Sequence, residues 1–328
     1  MLRFFRSSGS IVVVTIILLG GLTWMHEWSG YEISYPEKYG AFLFLEIDSW
    51  LTGMPALSAW CGLCLLLMAA MLLIFANNRL HLIDKSSYLP ALCYVLFVGG
   101  ILELHRLNPV VIAAILLIVG FILLVRSFNS ERLSYNFFTA SALISAAMFF
   151  YQYMYVYMMV VWLVILFWRP GYWREWVFSI LGFALPVFFA FSWFFLLDDD
   201  YVRMGVFFNE IFSIQRVIPS LSISTIVFSV ASVVAVIITF GHLMRHLGSK
   251  KVIVRNGHYI LILIALVTVA MVIVVPDTFP FAWYLLAFPM SFILSNYMAT
   301  VKSVRWGTIV LTFLLVCVAV AQAAIRIF

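Results

Sequence analysis

Glu27 and Asp48 stand outside the hydrophobic segments of this 328-residue chain, and Arg106, Arg203 and Arg216 stand in other connections between such segments. Together they are the side chains best suited to chemistry. A carboxylate within hydrogen-bond reach of a hydroxyl acts as a general base. A guanidinium grips two phosphate oxygens at once through its planar fork, and so steadies the charge that develops on a departing phosphate. His105 precedes Arg106 in one short connection and joins the phosphate-binding set. Asp198, Asp199 and Asp200 form an acidic run with two competing readings. One is a solvated loop; the other is a pair of carboxylates holding a divalent cation or a cationic substrate. No histidine adjoins the run, so zinc is poorly supported. No other cofactor is implied.

Each of these residues has a plainer reading. Glu103 and Arg106 have the spacing of an ion pair across one helical turn. Cys61 and Cys64 form a Cys-x-x-Cys inside an apolar run without a histidine nearby, which reads as small residues for helix packing. The aromatics Phe149, Phe150, Tyr151, Tyr153, Tyr155, Tyr157, Trp162 and Trp168 could stack on a sugar, but an interfacial aromatic belt explains them better. The chain has no phosphate-cradling glycine loop, no His-Glu-x-x-His and no Gly-x-Ser-x-Gly, so ATP-driven work by this chain alone is not expected.

The elements that must position these groups are hydrophobic helices. The chain is 65% hydrophobic and 10% charged, where a soluble domain carries roughly a quarter charged residues. No polar stretch is long enough for a domain outside the membrane, so residues 1–328 read as a single membrane domain. Segments near 11–25, 57–76, 88–104, 109–125, 135–151, 153–168, 177–196, 222–241, 259–275, 280–299 and 307–325 have the apolar character of membrane spans. The first follows a basic start but no small-x-small cleavage pattern, and reads as a retained helix. The apolar run 135–168 is too long for one crossing and is divided at Tyr151-Gln152-Tyr153. Asn108-Pro109 reads as a helix start, Arg169-Pro170-Gly171 as a helix end, and Pro186 and Pro289 fall inside helices.

Charge sorts the connections into two faces. Fourteen of the 19 Lys and Arg residues fall in alternate connections, and eleven of the 14 acids fall in the others. Basic residues are retained in the cytoplasm, so the expected fold is an all-α polytopic bundle of about eleven spans, N-terminus cytoplasmic and C-terminus periplasmic. The basic residues are scattered one or two to most connections, with four at 245–255, which fits topology and anionic headgroups and excludes a nucleic-acid stripe. Two external connections are long, 26–57 and 197–221. Within the first, residues 41–54 are expected to form an amphipathic interfacial helix, with Leu43, Phe44, Ile47, Trp50, Leu51 and Met54 on one arc.

The stretches DSWLTGMPALSAW (48–60), SYLPALCYVLF (87–97), LNPVVIAAILLIVG (107–120), FWRPGYWREW (167–176) and LGFALP (181–186) resemble an uncharacterised family of multi-pass inner-membrane proteins from Bacteroidetes-type bacteria. That resemblance implies topology and an envelope location, without an activity. More loosely, the layout is similar to integral-membrane glycosyltransferases that use polyprenyl-phosphate sugars. These have interfacial helices in the first external loop and an acid just after the first span, the place Glu27 holds here. The chain lacks their usual aspartate-containing pair in that loop and their large periplasmic domain. The resemblance implies sugar transfer from a lipid-phosphate donor at the periplasmic face, with Glu27 or Asp48 as base. The competing expectation is a non-catalytic subunit of an envelope assembly or transport complex, or a small-molecule or lipid transporter. Expected partners are membrane lipids, a polyprenyl-phosphate-linked sugar and envelope proteins.

Overall fold

The computed structural model describes residues 10–24, 41–51, 53–83, 87–129, 133–196, 221–301 and 303–324. Among them every regular element is helical. The α-helices are α1 (Ser10–Trp24), α2 (Phe42–Leu51), α3 (Pro55–Leu80), α4 (Leu89–Gly99), α5 (Pro109–Arg126) and α6 (Leu133–Met148). They continue as α7 (Met158–Trp168), α8 (Trp173–Leu196), α9 (Ile223–Leu247), α10 (Val252–Val274), α11 (Ala282–Thr300) and α12 (Val304–Ala324). Each apolar segment marked in the sequence contains one of them. Helices α3, α5, α8, α9, α10 and α12 are long and apolar enough to cross a membrane. The chain is an integral membrane protein built from helices.

Local chemistry explains where several helices begin and end. Asn108 caps α5: its side-chain oxygen accepts from the Val111 N–H at 3.0 Å, and Pro109 follows where no N–H is needed. Ser222 caps α9 in the same way through the Thr225 N–H. α3 ends on His81, in the left-handed region at φ 49°, with its N–H on the Asn77 carbonyl. The Asn77 side chain then holds the following turn, bonding Ser87 O and the Ile83 N–H. α7 stops at Trp168, before Arg169-Pro170-Gly171.

Two spans depart from a plain helix. Residues 135–168 do divide: α6 ends at Met148, and residues 152–157 form a 3₁₀ segment before α7. A 3₁₀ helix rises about 2.0 Å per residue and an α-helix about 1.5 Å. The 17 residues from Gln152 to Trp168 therefore extend roughly 28 Å, near the ~30 Å hydrocarbon thickness. α4 stops at Gly99, well short of the expected 104, with a 3₁₀ turn at Leu102–Leu104. Every residue of α4 is buried, as befits a helix that is hydrophobic all round.

α4 lies against α11, α3 and α1, and the buried side chains from Val12 to Ala321 form a connected core around it. α6 and α8 pack closely along their length. Gly182 permits this, because a Cβ there would collide with the backbone of Phe138. The Ser145 hydroxyl reinforces the contact by donating to Phe183 O at 2.7 Å. Substituting Gly182 by valine should separate the two helices and lower the unfolding temperature, at a cost of about 1–3 kcal/mol. Gly171→Ala, where a Cβ meets nothing within 4 Å, is the control. A thermal melt in detergent in which both variants match the wild type would show that the α6–α8 contact is not tight.

Candidate functional site at one end of the bundle

The expected site residues in the described part of the chain are Asp48, His105 and Arg106. Glu27, Asp198, Asp199, Asp200, Arg203 and Arg216 lie outside the described residues.

Asp48 is carried on α2, which forms as an amphipathic helix but spans 42–51 rather than 41–54. Its first free N–H groups find acceptors at the break after α6: the N–H of Ala41 donates to Phe150 O at 3.0 Å, and that of Leu43 to Phe149 O at 3.2 Å. A helix start thus satisfies a helix end. Phe44 is buried in the protein, whereas Ile47, Trp50 and Met54 are exposed, Trp50 by 84%. Those exposed apolar side chains suit the membrane interface. Asp48 is half-buried, and burial pushes its carboxyl above the usual aspartate range.

The chain from α2 runs directly into α3, whose first turn meets the connection bearing His105 and Arg106. The Leu107 N–H donates to Ser58 O at 3.2 Å. Gly62 lets the backbone of Arg106 pass, since a Cβ there would stand 2.9 Å from the Arg106 carbonyl carbon. Backbone contacts thus bring the segments holding Asp48 and Arg106 to one end of the bundle. Arg106 is half-buried. His105 is fully buried and its ring stacks on Trp24, with centroids 4.1 Å apart.

Glu103 does not serve Arg106 as the helical spacing suggested. Its carboxylate accepts from the Ser222 hydroxyl at 3.1 Å and the Thr225 hydroxyl at 2.7 Å. It therefore sits at the start of α9, where the helix dipole favours negative charge. A separation of 119 residues between Glu103 and Ser222 put this partner beyond any local spacing rule.

Sequence reasoning missed the residues that tie this end together. Trp283 Nε1 donates to Phe97 O at 2.9 Å, Gln322 Nε2 to Gly99 O at 2.9 Å, and the Tyr284 hydroxyl to Leu104 O at 3.2 Å. Gln322 carried a signal, as an amide in the otherwise apolar end of the last segment; Trp283 and Tyr284 did not. The tyrosine-rich stretch also differs from expectation. Phe149, Tyr151, Tyr153 and Tyr157 are buried, and Tyr157 bonds Thr268 at 2.6 Å. These rings fill the core rather than form a belt or an open stacking surface. Cys61 and Cys64 are free thiols on α3, half-buried and exposed respectively. Among the described residues, no three His, Cys, Asp or Glu side chains gather as a metal site would require.

Residues 36–327 match a family of unknown function, DUF6427. The chain belongs to that family. No curated protein and no solved structure matches it. Membership covers Asp48, His105, Arg106 and the segment 197–221, while Glu27 precedes the matched stretch. The family carries no assigned reaction, so function has to be argued from the geometry above.

Asp48 supplies a pH test of that geometry. Its folded-state pKa is raised by burial, so the folded protein holds the proton more tightly than the unfolded chain does. The resulting stabilisation is complete below the ordinary aspartate range and is lost as pH rises through the raised value. The unfolding temperature of the wild type should fall across that window, and Asp48→Asn should flatten this part of the profile. Superimposable profiles for the two proteins would place the carboxyl in bulk water.

Proposed function

We propose that this chain is an inner-membrane protein of a single domain that crosses the bilayer eleven times, N-terminus in the cytoplasm and C-terminus in the periplasm. α1 and α3 to α12 would be the crossings, with α2 lying in the outer interface. The support is twofold. The alternation of basic and acidic connections follows the retention of positive charge. Contacts in the structure also join connections that this topology assigns to the same side. Leu107 meets Ser58, Glu103 meets Ser222, and Leu43 meets Phe149; at the other side, Lys250 meets Asn296. Reporter fusions after Ser130 and Lys250 should read cytoplasmic, and one after Phe328 periplasmic. A cytoplasmic reading at Phe328 would remove one crossing.

The activity we infer is transfer of a sugar from a polyprenyl-phosphate donor at the periplasmic face, in building the envelope. The observation that carries it is the half-buried Asp48, with its raised pKa, on an interfacial helix. A base on a helix at that depth meets a lipid-borne substrate at the level of its phosphate, and a raised pKa brings it closer to the range useful for proton transfer. Asp48 takes the acceptor proton, with Glu27 as the other candidate. Arg106 holds the leaving phosphate together with Arg203 and Arg216, and His105, buried against Trp24, positions the turn that carries Arg106. Asp198, Asp199 and Asp200 are the place for a divalent cation should one assist.

A second reading rests on Glu103 and His105. Both are engaged in holding helices together, as expected of a non-catalytic subunit or a transporter that presents its outer loops to envelope partners. Membrane vesicles supplied with a polyprenyl-phosphate-linked sugar separate the readings. On the transferase reading, release of polyprenyl phosphate falls at least ~10²-fold in Asp48→Asn and sharply in Arg106→Ala, with protein level and unfolding temperature maintained. Undiminished release in Asp48→Asn and Glu27→Gln would end the transferase reading. A stoichiometric protein partner after purification would then favour the subunit.

A further inference from the structure

The connection between α9 and α10 concentrates positive charge as no other connection does. Arg245, Lys250, Lys251 and Arg255 fall within eleven residues, and the sequence has no acid between Glu210 and Asp277. The four cations do not share one environment. Lys250 turns inward and donates to the side-chain oxygen of Asn296 near the end of α11. Arg245 and Lys251 are exposed, and Arg255 is half-buried. Among the described residues the ion pair found is Arg169 with Glu175, and no carboxylate bonds Arg245, Lys251 or Arg255.

The backbone under these side chains is fixed. The N–H of Ser249 donates to His246 O and that of Lys250 to Leu247 O, while the Ser249 hydroxyl also bonds His246 O at 2.8 Å. With Lys250 pinned to α11, the turn holds its outward cations in a set arrangement. Its depth follows from its neighbours. α9 and α10 are both long and apolar enough to cross a membrane, and they are separated by residues 248–251 alone. The cations therefore stand at headgroup level. Beside them, Met244, Val252 and Tyr259 expose apolar surface, Val252 by 60%. Tyr259 lies one helical turn from Arg255, on the same face of α10.

We propose that this turn is a binding site for an anionic phospholipid. Arg245, Lys251 and Arg255 hold the phosphodiester, and the acyl chains lie along Met244, Val252 and Tyr259. A guanidinium suits phosphate oxygens, and basic clusters at a membrane surface draw anionic lipid. The adjoining apolar surface selects a lipid over a free anion, which would need the cations alone. The inference rests on the chain being a membrane protein and not on the transferase reading, so either can fail without the other.

Native mass spectrometry of the detergent-purified protein provides the test, with phosphatidylglycerol and phosphatidylcholine offered in equal amounts. The wild type should retain phosphatidylglycerol preferentially. Arg245→Gln, Lys251→Gln and Arg255→Gln combined should abolish the preference, each charge contributing roughly fivefold in affinity. A topology reporter after Lys250 should read the same in wild type and triple variant, which separates lipid binding from a role in insertion. If the triple variant does not fold, Arg255→Gln alone, together with a salt titration of the wild type, takes its place: phosphatidylglycerol retention should fall with each. Equal retention of both lipids by the wild type overturns the proposal, as does undiminished retention in the variants. So does inorganic phosphate competing as well as the lipid, because the site would then belong to a soluble anion.

Discussion

A backbone carbonyl freed inside a membrane protein must find its donor in the protein, because no water is there to supply one. α4 imposes this constraint. It ends at Gly99, its interior is buried throughout, and the carbonyls of Phe97, Gly99 and Leu104 need partners. α11 provides Trp283 and Tyr284, and α12 provides Gln322. An unmet carbonyl would cost about 1–3 kcal/mol, so those of Phe97 and Gly99 decide how two later helices approach the centre, while Leu104 O accepts from the Asn108 amide as well. Glycine at 99 and 100 makes the crowding possible. A Cβ at either position would run into Thr23 of α1 or the ring of Phe228 of α9. Residues from four distant helices therefore share one turn of chain.

The same knot shapes what this end of the bundle can offer chemically. Glu103 is engaged at the start of α9 and His105 by the indole of Trp24. Both residue types look reactive in a sequence, and both here fix the frame. Arg106, between that frame and the first turn of α3, has its backbone positioned by Gly62. Asp48 comes from a different element and reaches this end of the molecule through the direct passage of α2 into α3. Any site on this face is thus assembled from a rigid turn and the amphipathic helix α2 rather than from one continuous motif.

Features governed by neighbouring residues were legible in the sequence. The Asn108-Pro109 start, the stop at Arg169-Pro170-Gly171 and the division of 135–168 all appear in the structure. Each depends on capping chemistry, proline geometry or the length of an apolar run. The end of α4 was not legible, because Ile101, Leu102 and Leu104 continue the apolar pattern past the last helical residue. What stops that helix comes from Thr23, Phe228, Trp283 and Gln322, all remote in sequence. The buried tyrosines misled for a related reason. An aromatic beside a polar amide looks interfacial, whereas here the break is bonded through its carbonyls to the start of α2 and its tyrosines Tyr151, Tyr153 and Tyr157 are buried. For the candidate site, residue types could be nominated, but which of them serve as struts depended on partners remote in sequence, Trp24 for His105 and Ser222 for Glu103.

α2 is fastened to the bundle at its leading end by main-chain atoms, Ala41 and Leu43 on the carbonyls of Phe150 and Phe149. Such a latch does not depend on which side chains those four residues carry. The outward surface of α2 can therefore drift in sequence while its seat stays put. A change in chain length is another matter. One residue gained or lost between Met148 and Gln152 would turn the accepting carbonyls away and shift Asp48 relative to the bundle. In this chain, the spacing of that break is the quantity on which the reach of α2 hangs.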